Sequence, residues 1–415
     1  MNKIRRGCCV LVFFAWNKIE LQKLLLSANS KALQFIEMAL KGISVLELSG
    51  LAPVPFAGMV LADFGAKVTR VDRTKGHRDD RMGRGKRSIA VDLKKPEGIE
   101  VVKRLSTKSD VIIEPFRPGV MEKLGLGPNI LMKSNPRLIY ARISGFGQSG
   151  PWKMMAGHDI NYIATSGILS YLCRDGERPH PPINLVADFA GGGLTCAFGI
   201  VAALLEREKS GLGQVVDVSM TEGSAYVSTF AYVMKSMMFF NKPGNNLLDT
   251  GAPFYDCYTT KDGRHVAIGA LEPQFYEKLI EGLGLNSDDL PSQLDIEKWP
   301  ELRKSISEKV SSYTMEELNK IFEGSDACLT PVLTPEEAAQ HPHNRANGSF
   351  FKTNDGQDLP TPAPRLSRTP AQADTNPGSD AGQHTREVLS EYGFTKEEIE
   401  TLERKNVVNE RSSKL

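Results

Sequence analysis

The chain has 415 residues, enough for two domains or for one large domain with an appendage. Hydrophobic residues make up 40% and charged residues 24%, an ordinary soluble balance, and the formal net charge of +1 argues against a nucleic-acid binder, whose footprint is a basic excess. Six cysteines (Cys8, Cys9, Cys173, Cys196, Cys257 and Cys328) show neither metal-ligand spacing nor a dense disulfide framework, so a reducing compartment fits best.

Residues 1–37 carry Lys3, Arg5 and Arg6, then an apolar run from Cys8 to Trp16, with no acidic residue before Glu20. A signal or mitochondrial presequence, or an uncleaved anchor, would look like this, although the run is short for a bilayer span. The preferred reading is an N-terminal extension, with the globular pattern starting at Met38. Ile43 to Leu48 reads as a strand, punctuated by Ser49-Gly50 and Pro53-Val54-Pro55. A helical pattern follows through Phe56, Met59, Val60 and Phe64, and Lys67 to Asp72 reads as the next strand. Further strands are expected at Ile89–Leu93, Asp110–Glu114 and Leu138–Ile143, with helices opening at Pro96 and running from Val120 to Met132. This alternation predicts an α/β fold with a parallel sheet covered by helices.

Leu194 to Leu205 reads as a buried helix, Gln214 to Val218 as a strand and Glu222 to Phe240 as a second long helix. The polar, glycine-rich stretch that follows suggests a linker. Phe254–Thr260 and His265–Ala270 flank Lys261-Asp262-Gly263, a hairpin signature, and helices are expected at Phe275–Leu283 and Met315–Phe322. Residues 353–385 have no usable period and read as a return arm, before short helices at Glu387–Tyr392 and Lys396–Glu403. The expected organisation is an extension at 1–37, a large domain at 38–240, a linker at 241–252, a smaller α+β domain at 253–345, and a return arm with terminal helices at 346–412 that completes the large domain. Ser413-Lys414-Leu415 matches a receptor-read peroxisomal address.

The first βα turn, Ser49-Gly50-Leu51-Ala52-Pro53, lacks the Gly-x-Gly-x-x-Gly pattern, and no Walker loop is present. Dinucleotide binding and nucleoside triphosphate hydrolysis are therefore poorly supported. Arg73 follows a strand end, where open α/β sheets bind ligands, and Arg81, Arg84, Lys86, Arg87 and Lys94 come soon after. Such a cluster suits a phosphorylated nucleotide moiety; a solvated charged loop is the alternative. Further on, His158 sits in Ala156-Gly157-His158-Asp159-Ile160-Asn161-Tyr162, at a helix start whose peptide N–H groups can hold an oxyanion. Asp188 sits in Asn184-Leu185-Val186-Ala187-Asp188-Phe189-Ala190-Gly191-Gly192-Gly193. An imidazole and a carboxyl set among small residues suit two proton-transfer groups facing one carbon. Each residue alone has a second use: His158 as a structural histidine, Asp188 as a helix N-cap, and Glu272, just before Pro273, as a capping or solvated carboxylate.

Together these segments resemble the class III CoA-transferase superfamily, and its racemase members in particular. The stretches that carry the resemblance are Gly42–Leu48, Gly83–Ser88, Gly157–Tyr162, Ala187–Gly193, Gly251–Tyr255 and Gly269–Phe275. The resemblance implies a large Rossmann-like domain plus a small one, in an interlocked homodimer. It implies a racemase that interconverts (2R)- and (2S)-2-methylacyl-CoA thioesters through an enolate, in the metabolism of branched fatty acids and bile-acid intermediates. His158 and Asp188 would be the acid–base pair, in opposite protonation states, and Glu272 of the partner subunit would hydrogen-bond His158. Arg73, Val91, Asp92, Leu93, Lys94 and Lys123 would contact CoA, and Gly157, Asp159, Ile160, Asn161 and Tyr162 would line the thioester. No metal or redox cofactor is expected, CoA being part of the substrate. The expected address is the peroxisome, through an import receptor for Ser413, Lys414 and Leu415, with the mitochondrion as a second one. The rival within the superfamily is a CoA-transferase in which Asp188 is a nucleophile that forms an anhydride. A non-catalytic carrier of CoA esters is the rival of another class.

Overall fold

Near-continuous apolar strands between residues 44 and 219 build one sheet whose two faces are both covered. In the computed structural model, which describes residues 37–75, 80–235 and 242–410, six strands run parallel. They are β1 (Ser44–Leu48), β2 (Lys67–Asp72), β3 (Lys86–Val91), β4 (Val111–Glu114), β5 (Ile139–Ser144) and β6 (Val215–Ser219). Their spatial order is β3-β2-β1-β4-β5-β6, a doubly wound sheet whose order reverses between β1 and β4. A seventh strand, Val408–Asn409, pairs antiparallel with β3 at one edge.

Successive strand residues point to opposite faces, and the core divides accordingly. Val45, Val111, Ile113, Ile139, Ala141 and Ile143 pack on one face. Covering them are α1 (Pro53–Asp63), α5 (Asp159–Thr165) and α6 (Thr195–Ser210). Leu46, Leu48, Ile112 and Tyr140 pack on the other. There the helices are α2 (Pro96–Ser106), α3 (Val120–Lys123), α4 (Pro128–Ser134) and the terminal Thr385–Glu391 and Lys396–Arg404. A second, antiparallel sheet of β7 (Tyr255–Thr259), β8 (His265–Gly269) and β9 (Leu329–Pro331) has its own core. Phe254, Ile268, Trp299 and Leu302 belong to it. The expected hairpin is the β7–β8 pair.

Four expectations need correction. The helix expected from Val120 to Met132 is two, because Gly125 takes a left-handed backbone and Gly127-Pro128 restarts the chain. The helix expected from Glu222 breaks at Ser228 into α7 (Met220–Val227) and α8 (Thr229–Met234), and its last expected residues lie outside the described ones. Ser228 closes the first helix and opens the second. The segment read as a buried helix is buried on one side alone. Cys196, Ile200 and Leu204 face the core, whereas Phe198 is 72% and Leu205 65% exposed. Asp188, read from the sequence as a possible helix N-cap, is not one: it lies inside a π-helical segment, Leu185–Leu194, whose N-cap is Asn184. Residues 1–36 and the Ser413-Lys414-Leu415 tripeptide lie outside the described residues.

Candidate active site

Where the order of a doubly wound sheet reverses, the loops leaving adjacent strands part and leave a crevice at the strands' carboxyl ends. Here Ser49 and Gly50 leave β1, and Pro115, Phe116 and Arg117 leave β4. These residues line a cleft of about 400 Å³ that His158, Asp188, Gly157 and Tyr162 also line. Sequence reasoning predicts the His158–Asp188 pairing but misses Pro115, Phe116 and Arg117. A Pro-x-Arg turn following a strand at the reversal point is the signal that marks them.

Each wall of the cleft has a local cause. His158 is the extended residue ahead of α5, and its peptide N–H donates to Asn161 Oδ1 at 3.1 Å. Tyr162, one turn on, donates its hydroxyl to the Gly157 carbonyl and meets Phe146 edge-on at 5.1 Å. A Cβ on Gly145 or Gly157 would come within 2.2 or 2.7 Å of that ring, so both positions must stay bare for Tyr162 to fit. Asp188 is placed by the π-helical segment, which packs backbone against backbone. A Cβ on Gly191 would lie 2.6 Å from the Ser224 nitrogen, and one on Gly223 would lie 1.9 Å from the Gly191 oxygen. That contact accounts for Gly191, while Gly192 and Gly193 lie close to Pro53 of α1. π-helical turns of this kind recur at functional sites.

Burial pushes the Asp188 carboxyl above the ordinary aspartate range. The Asn184 amide, donating to Asp188 Oδ2 at 3.0 Å, opposes the rise; the Asp159 charge adds to it, and His158 opposes it. Imidazole and carboxyl thus line one cleft. Asp159 itself does not face the cleft. It is 4% exposed, and its Oδ2 accepts the peptide N–H groups of Ala187 at 2.6 Å and Asp188 at 2.8 Å. Ile160 is exposed and Asn161 caps the helix. Of the expected thioester wall, the structure brings Gly157 and Tyr162 to the cleft.

A second cleft of about 500 Å³ adjoins the first, sharing Ser49, Arg73 and Phe116 with it. The turns after β2 and β3 line it with Arg73, Val91, Asp92, Leu93 and Lys94. Asp92 Oδ1 accepts the Lys94 peptide N–H at 3.0 Å, which fixes the second turn. Lys123 is exposed on α3, between Val120 and Leu124 of the same wall. The basic cluster read from the sequence divides. Arg84 pairs with Asp63 at 2.6 Å, Lys86 with Glu47 at 2.8 Å, and Arg87 with Glu387 and Glu391. Those three hold the fold together, while Arg73 and Lys94 face the open cleft. Glu272 precedes the helix Pro273–Gly282, exposed, and is not among the residues lining the His158 cleft within this chain.

Residues 40–385 match the model of CoA-transferase family III. The chain belongs to CoA-transferase family III. A human protein named alpha-methylacyl-CoA racemase is 54% identical over 373 residues, covering 89% of this chain and 98% of the relative. A Chloroflexus aurantiacus family member, succinyl-CoA–D-citramalate CoA-transferase, is 32% identical over 396 residues, covering 89% of this chain and 98% of the relative. The crystal structure of a CAIB/BAIF family protein from Brucella suis superposes with a TM-score of 0.75 at 25% identity, covering 86% of this chain and all of that one. Within family III this chain lies nearer to the named racemase than to the named transferase.

Proposed function

We propose that this family III protein is a racemase that interconverts the (2R) and (2S) epimers of 2-methyl-branched acyl-CoA thioesters. The observation that carries the reading is the meeting of His158 and Asp188 in one cleft, beside a second cleft with cationic walls. CoA lies along Arg73 and Lys94, and its thioester reaches the first cleft past Ser49 and Phe116. One of the pair removes the α-proton; the C–H electrons move into the thioester as an enolate. The other group, already protonated, delivers its proton to the opposite face. Peptide N–H groups of the first turn of α5 meet the enolate oxygen. The raised Asp188 carboxyl supports a proton-holding role on that side. A transferase has no use for the second shuttle at His158. Incubation with one epimer in deuterated water tests the reading: deuterium enters the α-carbon as the other epimer appears. CoA transfer to a free acid without such exchange overturns it.

The rest of the reading follows from the same site. The exposed apolar side of α6, with Phe198, Val201 and Leu205, and the neighbouring Tyr226, Phe230 and Val233 support a homodimer in which this face is covered. Glu272 of the partner subunit then completes the His158 side. The chemistry needs no metal or redox cofactor, and the near-neutral net charge speaks against nucleic acid. Ser413-Lys414-Leu415 supports import into peroxisomes, where branched acyl chains and bile-acid intermediates are handled, and residues 1–37 a second, mitochondrial address. A fluorescent fusion that keeps the last three residues free, compared with one that masks them, tests the first address.

A further inference from the structure

We infer that Asp159 is a positioning residue that locks the two proton-transfer groups into one rigid unit and holds a negative charge behind Asp188. The inference rests on the racemase reading and deepens it. Asp159 follows His158 in the chain and opens α5, so its backbone moves with the imidazole. Its carboxylate crosses to the other element and takes the peptide N–H groups of Ala187 and Asp188, at 2.6 and 2.8 Å, on the single oxygen Oδ2. Those N–H groups belong to the opening turn of the π-helical segment, where the helix itself offers no acceptors. Charge-assisted bonds to peptide N–H groups are short and directional, so the backbone that carries Asp188 cannot swing away without losing both.

The other oxygen is left bare. Asp159 Oδ1 is buried and makes no hydrogen bond among the described residues. An ionised carboxylate with one bare oxygen is an expensive way to cap two N–H groups, since a neutral acceptor would cap them more cheaply. What the charge adds is a field. A fixed negative charge beside a second carboxyl disfavours that carboxyl's ionisation and keeps its proton available. The charged and titratable groups that surround Asp188 set the balance. His158 and Tyr162 belong to the α5 region, and Arg73, Arg117 and Lys153 line the cleft. The elements packed on the π-helical segment add Asp63 on α1, Glu206, Arg207, Glu208 and Lys209 at the far end of α6, Glu222 on α7, Arg142 on β5 and Asp217 on β6, none of them lining the cleft. Burial raises the Asp188 carboxyl most; the Asn184 amide opposes the rise, the Asp159 charge adds to it and His158 opposes it.

The test compares Asp159→Asn with Asn184→Ala in the full-length protein. D159N keeps the shape and an acceptor but removes the charge. Its kcat falls by about 10- to 100-fold with KM changed by less than about twofold. The carboxyl signal assigned to Asp188, read by infrared titration against a D188N reference, moves to lower pH. N184A removes a donor to the Asp188 carboxylate, so the same signal moves to higher pH. General loosening of the site cannot move the two variants in opposite directions. An unmoved Asp188 titration in D159N, or wild-type kcat, overturns the inference. The infrared readout needs no turnover, so it stands apart from the racemase reading, which fails instead if the wild-type protein incorporates no deuterium at the α-carbon.

Discussion

Gly223→Ala is the sharpest probe of how Asp188 is held. The added methyl carbon would sit 1.9 Å from the Gly191 oxygen and 2.7 Å from its carbonyl carbon, whereas ordinary contact begins at 3.4 Å. Both neighbours are backbone, so no rotamer change relieves the clash, and α7 must move from the π-helical segment by about 1.5 Å. Overpacking of this kind costs about 1–3 kcal/mol. Against it, alanine gains about 1 kcal/mol over glycine inside α7. The net loss of stability is therefore small, about 0–2 kcal/mol, and urea unfolding reads it. The catalytic loss is larger. Gly191 lies three residues beyond Asp188 in the same segment, and a displacement near 1 Å costs about 10²-fold in rate. The assay is α-proton exchange in deuterated water at saturating thioester, with the thermal midpoint measured in parallel. A G223A protein with wild-type exchange would refute the close backbone packing as what positions Asp188.

Three further outcomes follow from the site and its supports. His158→Ala and Asp188→Ala each lower racemisation by at least about 10²-fold while a thioester analogue binds within a few-fold of wild type, as equilibrium dialysis would show. Arg73→Ala raises KM for the CoA thioester about tenfold, with kcat little changed, in steady-state kinetics; the tenfold corresponds to about 1.4 kcal/mol. Burial pushes Glu114 from 4.5 up to about 7, against the Phe116 peptide N–H and Arg142, which favour its charged form. The folded chain then binds more protons than the unfolded chain between those values. Stability from this group is complete below 4.5 and lost as pH rises through about 7, by about 3 kcal/mol in all. Glu114→Gln removes that slope, and the difference between its melting curve and that of the wild type should shrink or reverse between about pH 5 and about pH 8.

Much of the large sheet is legible in the sequence, because strands buried on both faces write near-continuous apolar runs bounded by glycine and proline. The strand expected at Asp110–Glu114 is β4, and the one expected at Lys67–Asp72 is β2. The clustering of His158 with Asp188 is also foreseen. What is missed has physical reasons. The helix Trp299–Val310 is charged on its outer side and has Pro300 in its first turn, so its apolar stripe of Trp299, Leu302, Ile306 and Val310 is thin. The roles of Arg84, Lys86 and Arg87 depend on acids that are distant in sequence. Asp63, Glu47 and Glu391 give no local sign that they will consume those cations. Asp159 reads as a wall residue because its neighbours are wall residues; its inward turn is set by peptide N–H groups 28 and 29 positions away.

The Val408–Asn409 strand closes the edge of β3, with Val408 opposite Val91 and Asn409 opposite Ala90. Nearby, the Ala90 peptide N–H reaches the Thr385 hydroxyl and the Gly382 N–H reaches Ser88, across nearly 300 residues of chain. During synthesis, β3 is made early and stays an open edge until the last part of the polypeptide leaves the ribosome. An unpaired parallel edge is a template for the wrong strand, and so distant a closure is slow to form. The nascent chain therefore carries an open edge from the making of β3 until residues 408 and 409 pair with it, a span in which His158 and Asp188 are both made.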